Sequence, residues 1–198
     1  MSTRIIIPHR GLEAAKTRLA AVLDDAERVE LARKLLARVL LVAREACSDV
    51  LVISPAESLS PIVSAAGARL IVQRGMGLNR GLDQARDEAE ADGIETLCVL
   101  HGDLPNLTAD DVAALIAAVT EPSGVAIAPD RAGSGTNGLA MRPPGAIGFS
   151  FGVGSFEAHR SAAEAAVLPV VIVERSGLAF DLDTPADLAR WLELGDAA

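Results

Sequence analysis

Short runs of consecutive apolar residues alternate along the chain with longer segments in which apolar residues recur every three or four positions. The short runs have the length of strands buried on both faces, and the longer segments have the period of α-helices. The predicted strands are 4–8, 50–54, 69–73, 96–100, 124–129, 138–142, 169–173 and 178–183. The predicted helices are 24–46, 58–66, 77–91, 108–119, 155–166 and 185–194. This alternation predicts one α/β domain over residues 1–198, with a mostly parallel sheet covered on both faces.

Polar residues at the starts of the helices support these boundaries. Asp24 with Glu27 resembles a capping box, in which each side chain bonds the backbone of the other residue. Thr108 and the acidic residue three positions later give the same signal. The last helix has Thr184 as its predicted N-cap and Pro185 as its first residue.

Composition and charge restrict the class of partner. Half of the 198 residues are hydrophobic, which is enough for a substantial core. The formal net charge is −9, with 27 acidic against 18 basic residues, which opposes binding to a phosphate backbone. The chain has few aromatic side chains that could stack on bases, with four Phe, one Trp and no Tyr. We therefore expect no nucleic acid partner.

The sequence also predicts a cytoplasmic protein without a membrane anchor. No apolar run approaches the roughly 20 residues that cross a bilayer, and the first residues lack the pattern of a signal peptide. Cys47 and Cys98 lie in apolar surroundings without metal-ligand spacing, so we interpret them as reduced core residues.

Three carboxylates occupy positions where a metal ion could bind. Asp103 follows the strand 96–100, and ligands of such sheets bind at the carboxyl ends of the strands. Asp181 and Asp183 are two residues apart on the predicted strand 178–183, so both would point to one face. Paired carboxylates suit Mg²⁺, which also bridges to substrate phosphates. The alternative is that the pair consists of turn residues before a capped helix.

The loop after the first strand concentrates positive charge. Arg10, Lys16 and Arg18 lie in it, and the chain has only one other lysine, Lys34. Such a loop could bind nucleotide phosphates or could simply be a solvated surface. It contains neither a dinucleotide-binding glycine pattern nor a P-loop.

Two glycine-rich loops are candidates for binding an anion. One is 133–137, between two predicted strands, and the other is 151–156, which leads into a helix. Glycine lets the backbone approach a ligand, and a helix N-terminus offers free N–H groups. Thr136, Gly152 and Ser155 could therefore hold a carboxylate or phosphate, although tight turns explain the same glycines.

The histidines give a weaker signal. His9 and His101 follow strands, and His159 lies one helical turn after Ser155, facing either the same ligand or the core. No catalytic triad or zinc spacing surrounds them, and we predict none of them as a general base.

Taken in order, several short motifs resemble a known family over almost the whole chain. They are Ala-Lys-Thr-Arg-Leu at 15–19, Gly-Leu-Asn at 77–79, Asp-Leu-Pro at 103–105, Gly-Thr-Asn at 135–137, Phe-Gly-Val-Gly-Ser-Phe at 151–156 and Asp-Leu-Asp-Thr-Pro at 181–185. This set is similar to the 2-phospho-L-lactate/phosphoenolpyruvate guanylyltransferases of deazaflavin coenzyme F-420 biosynthesis. Each motif alone would be unspecific.

The resemblance implies a fold, a reaction and a set of roles. The fold would be a three-layer nucleotidyltransferase of the glycosyltransferase-A-like type. The enzyme would use Mg²⁺ and GTP to join GMP to the phosphate of a three-carbon phosphorylated acid, releasing pyrophosphate. By matching position, the metal ligands would be Asp103, Asp181 and Asp183, and the residues that contact the acid would be Thr136, Gly152 and Ser155. The phosphates of GTP would be neutralised by Lys16, Arg18 and Arg10. The guanine and ribose would lie along Gly77, Leu78 and Asn79. The family also suggests a homodimer and a downstream deazaflavin transferase that accepts the product.

The chain departs from the family's usual pattern at three places. Arg10 stands where Lys is common, Ser134 where Gly is usual and Val153 where Pro is usual. The loop changes lie near the expected acid site, so they bear on the acceptor. We favour phosphoenolpyruvate, with 2-phospho-L-lactate and 3-phospho-D-glycerate as alternatives. The competing functions are another nucleotidyltransferase of similar fold, for a molybdopterin or sugar phosphate, and a non-catalytic nucleotide-binding protein.

Overall fold

A computed structural model describes residues 2–119 and 122–195, and the side chains of residues 2–119 and 122–193. The strands are β1 (Thr3–Pro8), β2 (Val50–Ser54), β3 (Arg69–Val72), β4 (Thr96–Leu100), β5 (Gly124–Pro129), β6 (Thr136–Arg142) and β7 (Val170–Ile172). The α-helices are α1 (Asp25–Ala46), α2 (Ser60–Ala65), α3 (Leu78–Ala91), α4 (Ala109–Ala117), α5 (Ser155–Ala165), α6 (Ser176–Ala179) and α7 (Pro185–Gly195). Short 3₁₀ turns lie at Thr17–Leu19 and Glu57–Leu59.

The strands form one seven-stranded sheet in the order β3-β2-β1-β4-β6-β5-β7. All neighbouring pairs are parallel except those of β6, which runs antiparallel to both β4 and β5. The predicted mostly parallel sheet is therefore confirmed. Because β6 is reversed, its first residues lie at the edge of the sheet where its neighbours end.

Buried side chains pack on both faces of the sheet, because consecutive strand residues point in opposite directions. Ile5 and Ile7 of β1 face α1, α2, α4 and α6, together with Cys98 of β4. Ile6 of β1 and Val99 of β4 face α3 and α5. The result is the predicted three-layer arrangement of helices, sheet and helices.

A third, smaller apolar cluster lies beside the end of β1. Leu19 from the loop after β1 packs with Leu31 and Leu35 of α1 and with Leu182. The lone tryptophan of the chain, Trp191 on α7, packs against this group. These contacts fix the loop that carries Lys16 and the segment that carries the two aspartates before α7.

The prediction of a strand at 178–183 is wrong. Residues Ser176–Ala179 form α6, and residues 180–183 have no regular structure. The alternating apolar residues that suggested a strand are buried in different places: Leu178 packs against the sheet, whereas Leu182 joins the third cluster. Asp181 and Asp183 are thus not neighbours on one face of a strand.

The predicted caps are confirmed. Asp24 and Glu27 form a capping box, as do Thr108 and Asp111. At α7 the backbone N–H and hydroxyl of Thr184 donate to Asp187 Oδ2 at 2.9 and 2.7 Å. Within the described residues, none of the helices is both long enough and apolar enough to span a membrane.

Candidate active site

The carboxyl ends of β1 and β4 open onto a cavity of about 310 Å³. Residues 8–10 and 14–18 of the loop after β1 form one wall, and residues 101–103 after β4 form another. Leu78 at the start of α3 and Asp183 also line it. The cavity therefore lies where the sequence predicts ligand binding.

Lys16 is buried at the base of this cavity, with a side chain only 5% exposed. Its Nζ lies 2.6 Å from Asp103 Oδ2 and 3.0 Å from Asp183 Oδ1. The backbone of Lys16 has a φ of 56°, a left-handed conformation that costs a non-glycine residue roughly 1–2 kcal/mol. This strain is stored where the ammonium group joins two carboxylates that are distant in sequence.

Lys16 and Asp103 keep each other charged. Burial alone lowers the pKa of Lys16, but the nearby charges of Asp103 and Asp183 outweigh it and raise that pKa overall. Burial alone raises the pKa of Asp103, but Lys16, with a smaller contribution from His101, brings it below its ordinary value. The base of the cavity therefore carries a protonated amine against ionised carboxylate.

Asp181 completes the acidic side of the site. Burial and the proximity of Asp103 and Asp183 raise its pKa, against the effect of a hydrogen bond from Asn137. Asn137 Nδ2 donates to Asp181 Oδ1 at 3.2 Å and to the carbonyl of Leu178 at 3.0 Å. Asn137 had no predicted role, although it follows Thr136 in a motif of the resemblance, which was the available signal.

The carboxylates offer limited but suitable ligands for a metal. Asp103 Oδ1 is buried and has no hydrogen-bond partner among the residues that the structure describes, so it is an unsatisfied oxygen at the cavity. Among the side chains that the structure describes, no three or more His, Cys, Asp or Glu are arranged to hold a metal by themselves. Mg²⁺ typically takes one or two protein carboxylates and completes its shell with water and substrate phosphates. Asp103, with Asp181 or Asp183, fits that requirement.

The two predicted arginines lie nearer to solvent than Lys16. Both Arg10 and Arg18 line the cavity. Arg18 is 74% exposed, and its Nη1 lies 3.8 Å from Asp183 Oδ2. An exposed pair at this distance contributes little to stability, so Arg18 is available to an incoming anion.

The predicted nucleotide residues meet at the start of α3. Gly77 has a φ of 100°, which a residue with a side chain rarely adopts, and Leu78 follows it on the cavity wall. Asn79 has a further contact that its predicted role did not include. Its Oδ1 accepts from the N–H of Phe151 at 2.9 Å, and its Nδ2 donates to the carbonyl of Phe151 at 3.1 Å. Asn79 thus fastens the loop before α5 to the start of α3.

The predicted acid-binding residues lie together but do not line the cavity. Thr136 and Ser155 are both buried. The N–H of Ser155 donates to the carbonyl of Gly152 at 3.2 Å, and the N–H of Phe156 donates to the carbonyl of Ser134 at 3.2 Å. The two glycine-rich loops are therefore joined to each other, as the hypothesis of one binding site requires.

The histidines occupy different environments. His9 Nδ1 accepts from the N–H of Gly11 at 3.0 Å, and burial lowers the pKa of His9 to about 4. His101 lines the cavity, and its Nε2 is buried with no hydrogen-bond partner in the described part of the chain. Sequence reasoning missed this second unsatisfied atom, since only its place after β4 hinted at the cavity. His159 is wholly buried, and its two ring nitrogens contact Thr136 and Ser150.

Comparison with known proteins identifies relatives over nearly the full chain. The model of the family described as "Guanylyl transferase CofC like" matches residues 3–197. A phosphoenolpyruvate guanylyltransferase of Sphaerobacter thermophilus is 45% identical over 190 residues, covering 95% of this chain and 91% of that protein. A 3-phospho-D-glycerate guanylyltransferase of Phenylobacterium zucineum is 40% identical over 192 residues, covering 92% and 86%.

Solved structures share the fold. A nucleotidyl transferase from Methanothermobacter superposes with a TM-score of 0.68 at 14% identity, covering 98% of this chain and 97% of that one. At this identity the likeness concerns the fold alone. The predicted nucleotidyltransferase fold of glycosyltransferase-A-like type is confirmed.

Proposed function

Because the chain belongs to the family of CofC-like guanylyl transferases, we propose that it transfers the GMP group of GTP to the phosphate of a three-carbon phosphorylated acid. The acceptor oxygen forms a new bond to the α-phosphorus, the bond from that phosphorus to the β-phosphate oxygen breaks, and pyrophosphate leaves. We favour phosphoenolpyruvate as the acid, with 2-phospho-L-lactate and 3-phospho-D-glycerate as alternatives. The proposal places the reaction in the cytoplasm, within deazaflavin coenzyme F-420 biosynthesis, with a homodimeric enzyme and a transferase that consumes the product.

The observation that carries this proposal is the buried ammonium group of Lys16 between Asp103 and Asp183 at the base of the cavity. Joining two phosphates brings negative charges together, so catalysis needs positive charge held in place before the substrates arrive. Lys16 is fixed by two ion pairs, and Arg18 and Arg10 stand at the wall above it. These side chains would orient the GTP phosphates and stabilise the charge that develops on pyrophosphate.

Mg²⁺ belongs to the proposal because the acidic residues fit it. Asp103, with its unsatisfied Oδ1, would hold the ion together with Asp181 or Asp183. When bound, the ion would neutralise phosphate charge and align the two reacting groups. The attacking phosphate is already ionised at neutral pH, so this chain needs no residue to remove a proton from it.

The first experiment measures pyrophosphate release from GTP and Mg²⁺ with each of the three acids in turn. We expect release with one acid and its loss, on the order of 100-fold, in Asp103→Asn. Asp87→Asn, at a side chain on α3 that is 68% exposed, is the matched control and should keep normal turnover. Trapping the unstable product with the deazaflavin acceptor and its transferase would identify the acid.

Other outcomes would contradict the proposal in distinct ways. GTP binding without release, for every acid tried, would favour a non-catalytic nucleotide-binding protein. Release only with a sugar phosphate or a molybdopterin would favour another nucleotidyltransferase. Normal turnover in Asp103→Asn would remove that carboxylate from the mechanism.

A further inference from the structure

His159 links the two loops of the predicted acid site through both of its ring nitrogens. It lies on α5 and is wholly buried. Its Nε2 lies 3.0 Å from the backbone nitrogen of Ser150, and its Nδ1 lies 3.1 Å from Thr136 Oγ1. The ring of Phe151 packs edge-on against it, with the ring centroids 4.8 Å apart. The imidazole is therefore held on several sides, with no freedom to exchange its two partners.

The contact with Ser150 determines which nitrogen carries hydrogen. A backbone N–H can only donate, so His159 Nε2 must be the acceptor and cannot be protonated. In a neutral imidazole the hydrogen then resides on Nδ1. Burial, with a smaller effect from His101, lowers the pKa of His159 to about 4, which agrees with a neutral ring at pH 7.

The hydrogen on His159 Nδ1 in turn determines the role of the Thr136 hydroxyl. Because His159 Nδ1 donates, Thr136 Oγ1 accepts in this contact. In the part of the chain that the structure describes, this is the one hydrogen bond that the Thr136 hydroxyl makes to another side chain. Its own hydrogen is consequently left to donate to some other acceptor.

We propose that His159 is a positioning residue for the acceptor: it fixes the Thr136 hydroxyl as a hydrogen-bond donor, directed to the carboxylate of the phosphorylated acid. This inference rests on the proposed function and on the acid site at Thr136 that the family resemblance implies. A hydroxyl whose hydrogen is free to donate favours an accepting oxygen on the substrate, and it bonds an anionic oxygen more strongly than a neutral one. Thr136 is only 2% exposed, so the bond would be almost wholly shielded from water.

A double-mutant cycle on the KM for the acid tests the coupling. Thr136→Val removes the hydroxyl at nearly constant shape, and we expect it to raise this KM about 10-fold to 100-fold, as for a lost bond to a charged group. In His159→Gln the amide oxygen can accept from Ser150, but no nitrogen occupies the Nδ1 position that contacts Thr136, so the KM for the acid should also rise. The KM for GTP should stay near the wild-type value in both variants, and Thr136→Ser should keep a KM for the acid close to wild type.

The decisive comparison is the double variant. If His159 acts through Thr136, His159→Gln adds little to the KM for the acid once Thr136→Val is present. Multiplied effects, or a rise in the KM for GTP equal to that for the acid, would overturn the proposal in favour of a purely structural histidine. Partial reversible unfolding of a variant would raise the apparent KM for GTP and for the acid by the same factor, so an unchanged KM for GTP controls for destabilisation.

The tautomer can also be measured without any variant. In ¹⁵N-labelled wild-type protein at pH 7, the ring shifts of His159 should report hydrogen on Nδ1 and none on Nε2. Hydrogen on Nε2 would overturn the inference whatever the enzyme does. Absence of guanylyl transfer by the wild type with all three acids would instead contradict the proposed function, so the two failures are distinguishable.

Discussion

Lys16 shows what a single residue contributes to this site. Its position after β1, among other cations, could be predicted from the sequence, because ligands bind at the ends of strands in such sheets. Its two ion pairs could not be predicted, since Asp103 and Asp183 lie 87 and 167 residues away. The left-handed backbone of Lys16 was equally hidden, because a lysine gives no sign of such a conformation.

Replacing Lys16 by methionine should therefore destabilise the fold as well as abolish turnover. The substitution removes the ammonium group from Asp103 and leaves Asp183 with only its longer pair to Arg18, which costs on the order of 1–3 kcal/mol after allowing for the partial exposure of the carboxylates. Urea unfolding at pH 7 measures the loss. Lys34→Met is the matched control: Lys34 is 65% exposed and pairs with Glu30 at 3.6 Å, so its loss should change stability by less than about 0.5 kcal/mol. Equal effects of the two substitutions would refute the structural role of Lys16.

At the scale of elements, the sequence predicted most strands and helices to within a residue or two. It succeeded where apolar period and caps agreed, as in α1, β4 and α4. The prediction failed at 178–183, because alternating apolar residues indicate that these side chains are buried but do not indicate which part of the core they join. In the folded chain Leu178 packs on the face of the sheet, where β6 already has β4 and β5 on its two sides, so this segment covers the sheet instead of extending it.

The ends of three helices show a second feature that the sequence pattern conceals. In α2 and α3 the residue after the last turn is glycine with a φ near 70°, Gly67 and Gly93. At the end of α5 the same position holds Val167, with a φ of 57°. In each case the N–H of this residue and the N–H of the residue after it donate to carbonyls in the last turn of the helix. The N–H of Val167, for example, donates to the carbonyl of Glu164 at 3.0 Å. A β-branched residue is strained in this conformation.

Val167→Gly should raise the free energy of unfolding by about 1 kcal/mol, because it relieves that strain without loss of buried surface. Val167 is 89% exposed, so no packing offsets the gain. The reciprocal change Gly93→Val should lower stability by a similar amount, and an added Cβ there meets nothing within 4 Å. Thermal unfolding of the two variants beside wild type checks both signs; a less stable Val167→Gly would contradict the argument.

At the scale of the whole molecule, the site lies where separate parts of the core meet. Asp103 follows β4, the third apolar cluster holds the segments of Lys16 and Asp183 through Leu19 and Leu182, and the two glycine-rich loops are joined to each other. None of these parts forms a cavity alone. The composition predicted a core of this size, but how its parts meet depends on contacts between distant segments.

Trp191 should therefore lose its native environment together with the sheet. It is the single tryptophan and it packs against the third cluster, so its emission reports on the site side of the molecule. We expect the urea transitions followed by tryptophan emission and by far-ultraviolet circular dichroism to coincide. An earlier transition in the emission would show that the third cluster opens independently of the sheet.

The reversed direction of β6 has a consequence for how such enzymes can diverge. The turn from β5 into β6, residues 130–135, emerges at the same edge as the ends of β1 and β4, yet it belongs to a hairpin whose length can change without shifting any parallel strand. Insertions or substitutions there would change the surroundings of Thr136 and leave Lys16 and Asp103 in register. Under the proposed function, the acceptor could therefore be changed by altering one hairpin, without displacing the residues that would hold the GTP phosphates.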